Sequence, residues 1–365
     1  MSENKKRKRK ADEAKSRLAR LWPVLVFAVG LMIFCGLAWK AGSWNHRSVD
    51  AQLAEIEAAY AIPESEDAGA AYLKLASEHL PLPHGPPVVD RQALTFTVNK
   101  PWLTKDCPKL AAWLDERQEL ISELLDISRL EECRLPIPSG RQQVSHYDNP
   151  ARQMHGWAYL LVRSANNDAA EGRIDAAVEK YACVLRMGSH LCQQPVLSYY
   201  NNGVSFKSLA LNAMKELVGQ TELTDEQLTT IKMALLPAED RWKERSRIMV
   251  KVQRLFVQRP FERRGRPWLG EWRRYWAYHK ATSKSDEHLL RVTRRFRITA
   301  IAHRRTLHIL IALRRFKNKT GHWPQSLDRI KPSLSKETLT DPRDNMPFVY
   351  ELTGEDFRLG SKGAN

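Results

Sequence analysis

The sequence lacks most of what announces a chemistry. No G-x-S-x-G elbow, H-E-x-x-H pair, P-loop or G-x-G-x-x-G turn occurs in its 365 residues. The usual marks of serine hydrolases, zincins, phosphate cradles and dinucleotide binders are therefore missing. Cysteine is sparse: five residues, none in a C-x-x-C pair, are too few for a disulfide scaffold and supply no zinc ligand set. Gly-X-Y and heptad composition are also absent, which excludes collagen and long coiled coils. The 11 histidines are scattered. His303 and His308 stand five apart on different helix faces, which suits core or surface roles better than metal ligation. The carboxylate pairs Glu64/Glu66 and Glu131/Glu132 sit in charged segments with no partner for acid–base work. No catalytic, cofactor or metal residue is expected.

What is present is apolar content and positive charge. With 43% apolar residues the chain is too hydrophobic to be disordered, and its length allows one large or two ordinary domains. Lys plus Arg number 58 against 42 Asp plus Glu, a net charge of +16 that favours acidic partners. The charge is unevenly placed: residues 1–20 hold nine basic and three acidic side chains, whereas residues 241–320 hold 24 and five.

Residues 21–39 (LWPVLVFAVGLMIFCGLAW) contain no charge, close to the roughly 20 residues needed to cross a bilayer core. Trp22 and Trp39 stand at the two ends, where amphipathic rings favour the interface. The basic run before this stretch predicts a single-pass signal anchor at 21–40, with residues 1–20 cytoplasmic and the remainder exported. A cleaved signal peptide and a lipoprotein fit less well: no A-x-A site follows, and Phe34 precedes Cys35. The expected location is a bacterial inner membrane with a periplasmic C-terminal domain.

Residues 41–240 read as a helical exported domain. Helical spacing predicts Val49–Tyr60, Ala68–Leu80, a single long helix over Lys109–Glu132, a pair over 152–190, Ser198–Val218 and Thr224–Leu236. The stretch AEGRIDAAVEKYACVL (170–185) places Gly172 at a turn and Ala177 where helices pack closely, in the manner of the second helix of a tetratricopeptide repeat. No 34-residue recurrence follows. Cys107, Cys133, Cys183 and Cys192 permit two disulfides in an oxidising compartment. Cys183 to Cys192 is one pairing, joining a helix end to the loop beyond it. A helix over 109–132 would hold Cys107 and Cys133 about 36 Å apart unless it breaks, and free or cross-paired thiols are the alternatives.

Residues 241–306 form a basic, Arg/Trp-rich helical segment, densest in RPFERRGRPWLGEWRRYWAYHK (259–280). Guanidinium groups pair with phosphates while rings sit among headgroups, so an anionic lipid surface or an acidic envelope protein suits it. The candidate binding residues are Arg263, Arg264, Arg266, Trp268, Trp272, Arg273, Arg274 and Trp276. Nucleic acid shares that chemistry, but an exported domain rarely meets it. Two bland readings compete: basic solvent faces over a Trp-filled core, or packing against the acidic 41–240 region.

Residues 307–365 combine a helix ending at Gly321, a Pro324-opened short helix with Leu327 and Ile330 packing back, a turn at Asp341–Asn345 and a hairpin turning at Thr353–Asp356. This order resembles the C-terminal half of the major pseudopilin of type II secretion systems. The positions that carry the resemblance are Gly321, Trp323, Pro324, Asp341, Pro342, Pro347, Tyr350, Ser361, Gly363, Ala364 and Asn365. The prepilin signature G-F-T-L-x-E is missing before the hydrophobic stretch, and the pseudopilin calcium loop continues past its S-x-G-A-D point. The resemblance therefore implies neither pilus assembly nor calcium binding.

Over the whole chain, ESEDAGAAYLKLA (64–76), ECRLP (132–136), 170–191, SLALNAMKELV (208–218) and GHWPQSLDRI (321–330) resemble single-pass membrane proteins of planctomycete-type bacteria. These join an anchor, a helical ectodomain and the same C-terminal motif, and the group lends no activity. The expectation is a mainly α protein with a small C-terminal hairpin, acting as a non-catalytic envelope scaffold or binding protein. The alternatives are an assembly component of a secretion or pilus-like system and an envelope enzyme with an unrecognised site.

Overall fold

The computed structural model describes residues 48–79, 91–137, 150–235, 242–262 and 269–361, with 91–94, 150–151, 257–262, 269–287 and 289 described by backbone course alone. The expected anchor at 21–40 and the basic tail before it lie outside the described residues. Among those that are described, no helix is long and apolar enough to cross a membrane. The chain divides into two units, residues 1–52 and 53–365, and the helical core belongs to the second.

The architecture is mainly helical, with eleven α-helices among the described residues and one two-stranded antiparallel hairpin. In chain order they are α1 (Val49–Ala58), α2 (Ala68–Glu78), α3 (Arg91–Asn99), α4 (Pro108–Asp115), α5 (Gln118–Ile127), α6 (Pro150–Ala170), α7 (Ile174–Gln193), α8 (Leu197–Gln220), α9 (Asp225–Ala234), α10 (Trp242–Glu262) and α11 (Leu269–Thr320). The strands β1 (Val349–Thr353) and β2 (Asp356–Gly360) follow, turning through Gly354 at φ +63°.

α6, α7 and α8 form the centre. Gly172 sits at φ +80° in the three-residue link between α6 and α7, a conformation that only glycine adopts without strain. Ala177, Tyr181, Val184 and Met187 of α7 and Trp157, Leu161 and Ala165 of α6 are all buried, and Tyr181 Oη donates to Asn166 Oδ1 across the pair. α7 and α8 then cross closely. A Cβ on Gly188 would lie 2.7 Å from the Gly203 carbonyl oxygen, and one on Gly203 would lie 2.5 Å from that of Gly188. α9 opens with a capping box in which Thr224 Oγ1 accepts from Gln227 N and Gln227 Oε1 accepts from Thr224 N.

α11 runs parallel to α8. Ala300 shares a buried cluster with Tyr200 and Val204 in the first half of α8, while Arg314 reaches Val218 and Gly219 at its end. The C-terminal motif then folds back on the end of α11. Gly321, at φ +82°, caps the helix through a bond from its N–H to the Lys317 oxygen. The Arg314 and Lys317 cations both lie over the Trp323 ring, at 4.8 and 4.7 Å from its centroid, and Phe357 meets it edge-on at 4.6 Å. Tyr350 Oη donates to the Pro324 oxygen at 2.7 Å, and Ile330 is buried behind the one-turn 3₁₀ helix Leu327–Arg329.

Two expectations need correction. The single helix over 109–132 is two helices, α4 and α5. Arg117 leaves helical geometry at φ −117°, its guanidinium takes the Trp113 oxygen at 2.7 Å, and Gln118 Nε2 takes that of Leu114. Side chains thus occupy the carbonyls that a continuous helix would use. The Cys183–Cys192 bridge does not form. Both residues lie inside α7, nine positions or about 13.5 Å of helix rise apart, well beyond disulfide reach. All four described cysteines are free thiols. Helical spacing did not announce α3, because its Thr95, Phe96, Thr97 and Val98 favour strands.

Candidate functional site

The eight residues expected to bind a partner are not brought together by described side chains. Arg263, Arg264, Arg266 and Trp268 lie outside the described residues. Trp272, Arg273, Arg274 and Trp276 lie on α11, where only the backbone is described.

The rest of the basic segment divides into two sets. One set is bound inward. Arg245 Nη1 donates to the Cys192 oxygen at 2.9 Å, and Arg297 covers the Trp242 ring at 5.6 Å. Arg305 donates to the Thr340 oxygen and pairs with Glu337. Arg314 donates from Nε and Nη2 to Val218 O, and from Nη2 to Gly219 O at 2.7 Å. These are carbonyls that the last turn of α8 leaves without helical donors, and a cation there also opposes the helix dipole. The other set is exposed. Arg291, Arg294 and Arg295 occupy i, i+3 and i+4 on one face of α11 beside Phe296, which is 51% exposed.

A buried polar web holds the helices to their loops. Asp67 caps α2 by accepting from Gly69 N at 2.7 Å and also accepts from Arg134 N. Arg134 in turn donates from Nε to Tyr60 O and from Nη2 to Glu132. A Cβ on Gly69 would lie 2.2 Å from the Arg134 oxygen, so only glycine fits. Gln193 at the end of α7 and Gln194 just after it bind the backbone of residues 131–135. His190 Nε2 donates to the Leu130 oxygen at 2.8 Å and Nδ1 accepts from Tyr72 Oη. Burial lowers that imidazole to about 4 and raises the Cys183 thiol to about 11. Asp168 and Ser164 bind the Lys180 ammonium, and Asn166 accepts from Tyr181 while donating to Thr97 O and Val98 O. The stretches 64–76, 132–136 and 170–191 therefore meet one another in space, and their polar residues are spent on bracing.

His303 and His308 of α11 lie in a cationic environment. Lys215 on α8 and Arg343 in the turn after Asp341 are the cations whose charge His303 on α11 feels. Burial, then those two cations, lowers His303 to about 4. Its Nδ1 is enclosed and has no hydrogen-bond partner. One turn along α11, burial and then Arg304 and Lys232 lower His308 to about 4. The two imidazoles do face different neighbours, as their i, i+5 spacing implied. Their cationic partners escaped the sequence reading because 88 positions separate Lys215 from His303 and a further 40 separate His303 from Arg343.

Protein-family models, curated proteins and solved structures gave no match to this chain. The chemistry of the site therefore has to come from its own residues. Among the described residues no group of three or more His, Cys, Asp and Glu could hold a metal ion. The exposed and half-buried cations favour an anion.

Proposed function

We propose that the protein is a single-pass, signal-anchored component of the bacterial cell envelope. Residues 21–40 would cross the inner membrane, and the helical body, with its tetratricopeptide-like α6–α7 pair, would stand on the exported side as a non-catalytic scaffold or binding module. Its basic segment would engage anionic lipid or an acidic envelope protein, with Arg263, Arg264, Arg266, Trp268, Trp272, Arg273, Arg274 and Trp276 as the contact residues. The observation that carries this reading is the two-sided use of α11. Arg305 and Arg314 are bound inward, whereas Arg291, Arg294 and Arg295 are exposed beside Phe296. Arginine beside an exposed aromatic is the chemistry that an anionic interface selects.

The test has two arms. Reporter fusions after residue 45 and at the C-terminus should report export, and alkaline extraction should leave the full chain in the membrane; a soluble chain would refute the anchor. For the partner, the full chain is reconstituted in neutral and in anionic bilayers and digested with trypsin. Cleavage within 259–280 should slow in anionic bilayers and recover at high salt. Equal cleavage in both bilayers would remove the lipid reading.

A role in a secretion or pilus-like assembly is the second reading. It is favoured by the way Gly321, Trp323, Pro324 and Tyr350, the positions shared with the pseudopilin motif, form one cap on α11. Purification of the anchored protein without any secretion ATPase, platform protein or secretin would count against it.

A further inference from the structure

We propose that residues 128–137 form a strap that mild acid releases from α7, with His190 as the residue that lets it go. The device involves neither the anchor nor the Arg/Trp-rich stretch, so it stands or falls apart from the function proposed above.

Residues 128–137 follow α5 and carry no helix or strand of their own. Side chains from the end of α7 hold them. Arg186 Nε donates to Ser128 Oγ at 3.1 Å, His190 Nε2 to Leu130 O at 2.8 Å and Gln193 Nε2 to Glu131 O at 2.8 Å. Gln193 Oε1 accepts from Cys133 N, and Gln194 bridges Cys133 O and Leu135 N. On its other side the strap meets the start of α2, where Ala68 N donates to Glu132 O and Asp67 accepts from Arg134 N. Glutamine amides and guanidinium groups keep their charge and their donors in mild acid. Of the side chains that α7 gives to the strap, the imidazole alone titrates there.

The closed state has no room for a second proton on that ring. His190 is 2% exposed, and its Nδ1 accepts from Tyr72 Oη of α2 at 3.1 Å. Tyr72 is backed by the Trp157 ring of α6, 6.2 Å away between centres. The charges His190 feels are Arg186 one turn earlier on α7, Lys207 on α8 and Asp67 ahead of α2, two cations against one carboxylate. Lys207 packs on α7 itself: a Cβ on Gly188 would lie 2.9 Å from its Cγ. The strap adds no free charge beside Leu130, since Glu132 and Arg134 pair with each other at 2.8 Å. An imidazolium held here is stripped of water and repelled by its neighbours. A proton therefore favours any state in which water reaches the ring.

Water has one easy approach. Behind the ring α7 and α8 cross with the Gly188 and Gly203 backbones in contact. Cys192 lies there in a buried cluster with Tyr200, Val204, Met249 and Ala300, so parting these helices would open the centre of the molecule. In front stands the strap. Its release uncovers Cys133, Leu135 and Ile137 and exchanges the bonds above for bonds to water, a local opening that leaves α6, α7 and α8 packed.

Two buried thiols report the two kinds of opening. Cys133 belongs to the strap, whereas Cys192 Sγ faces Gly203 of α8. The full chain in neutral detergent is pulsed with 4,4′-dithiodipyridine, a disulfide that reacts with thiols in mild acid, and each cysteine is read by peptide mass spectrometry. Every rate is divided by that of the urea-unfolded chain at the same pH. A ring that titrates near 6.5 when released and at about 4 when strapped makes opening about 20-fold more frequent at pH 5 than at pH 7. Cys133 should accelerate by that factor, while Cys192 and the half-buried Cys107 should change by less than about twofold. His190→Gln keeps a donor for Leu130 O and an acceptor for Tyr72, and it should remove the acceleration of Cys133. Should that variant fold poorly, the wild-type profile is the second measure: Cys133 labelling should climb with a one-proton slope below about pH 6.5 and level off near pH 4. Equal acceleration of Cys133 and Cys192 would mean that the whole core opens, and it would overturn the proposal. So would a Cys133 rate that does not change down to pH 5, or an undiminished rise in His190→Gln.

Discussion

Acid should loosen this fold well above the pH at which ordinary carboxylates titrate, and His190 is the main reason. Its ring is 2% exposed and wedged between the Leu130 carbonyl and the Tyr72 hydroxyl. Burial brings it to about 4, a shift that the bond to Leu130 O only partly offsets. Cationic Arg186 and Lys207 push it the same way as burial, and Asp67 pushes against them. An imidazole whose folded pKa lies below its unfolded value leaves the unfolded chain with more protons in the interval between the two. Stability is therefore complete above about pH 6.5 and is lost as pH falls toward 4. Linkage puts the loss from this one residue at about 2 kcal/mol at pH 5 and about 3 kcal/mol at pH 4. His303 and His308 act with the same sign, and solvent reaches them more freely. For Asp341, burial would raise the carboxyl but the bonds from Arg343 outweigh it and hold it low, so its own contribution is lost only in stronger acid. The assay is urea denaturation of the full chain in neutral detergent, followed by far-UV circular dichroism from pH 7.5 to pH 5. His190→Gln keeps one donor and one acceptor but cannot be protonated. It should start less stable and lose about 2 kcal/mol less than wild type over that range. Parallel pH profiles for the two proteins would refute the reasoning.

Other perturbations test the bracing directly. Gly69→Ala forces a methyl within 2.2 Å of the Arg134 oxygen and should cost about 2–4 kcal/mol in chemical denaturation, as overpacking against backbone does. Trp323→Ala empties the space between Arg314, Lys317 and Phe357. It should lower stability by about 3–5 kcal/mol, and an unchanged midpoint would detach the C-terminal motif from the core. In maleimide labelling of the native chain, the half-buried Cys107 should react first and the buried Cys133, Cys183 and Cys192 only after unfolding. Rapid labelling of Cys183 would contradict its burial.

The helices were legible wherever one face alone had to be apolar. α7, α8 and the hairpin follow their sequence periods to within a few residues, because burial and local turns act in the same direction there. The break between α4 and α5 was not legible, since Arg117 and Gln118 are good helix formers and it is their side chains that capture the carbonyls. α3 was hidden by its strand-favouring residues, and Asn166 binds the carbonyls of Thr97 and Val98 near its end. The web at Asp67, Arg134 and Gln193 is long-range in sequence. Composition displays such residues but carries no trace of their meeting. Of the motif stretches recognisable in the sequence, 64–76, 132–136 and 170–191 are the ones whose polar residues brace one element to the next.

The parallel course of α8 and α11 governs when the molecule can become itself. The carbonyls of Val218 and Gly219 wait for Arg314, which lies 96 and 95 residues further on. A chain that emerges N-terminus first has α6, α7 and α8 in hand long before it has the guanidinium that completes them. Until then Tyr200 and Val204 present to solvent the surface that Ala300 will cover. Such high contact order slows the final step and leaves a partly built intermediate open to misassociation. A chain cut at residue 300 would accordingly lose more than its tail: the end of α8 would stay unsatisfied and the central helices would remain in that unfinished state.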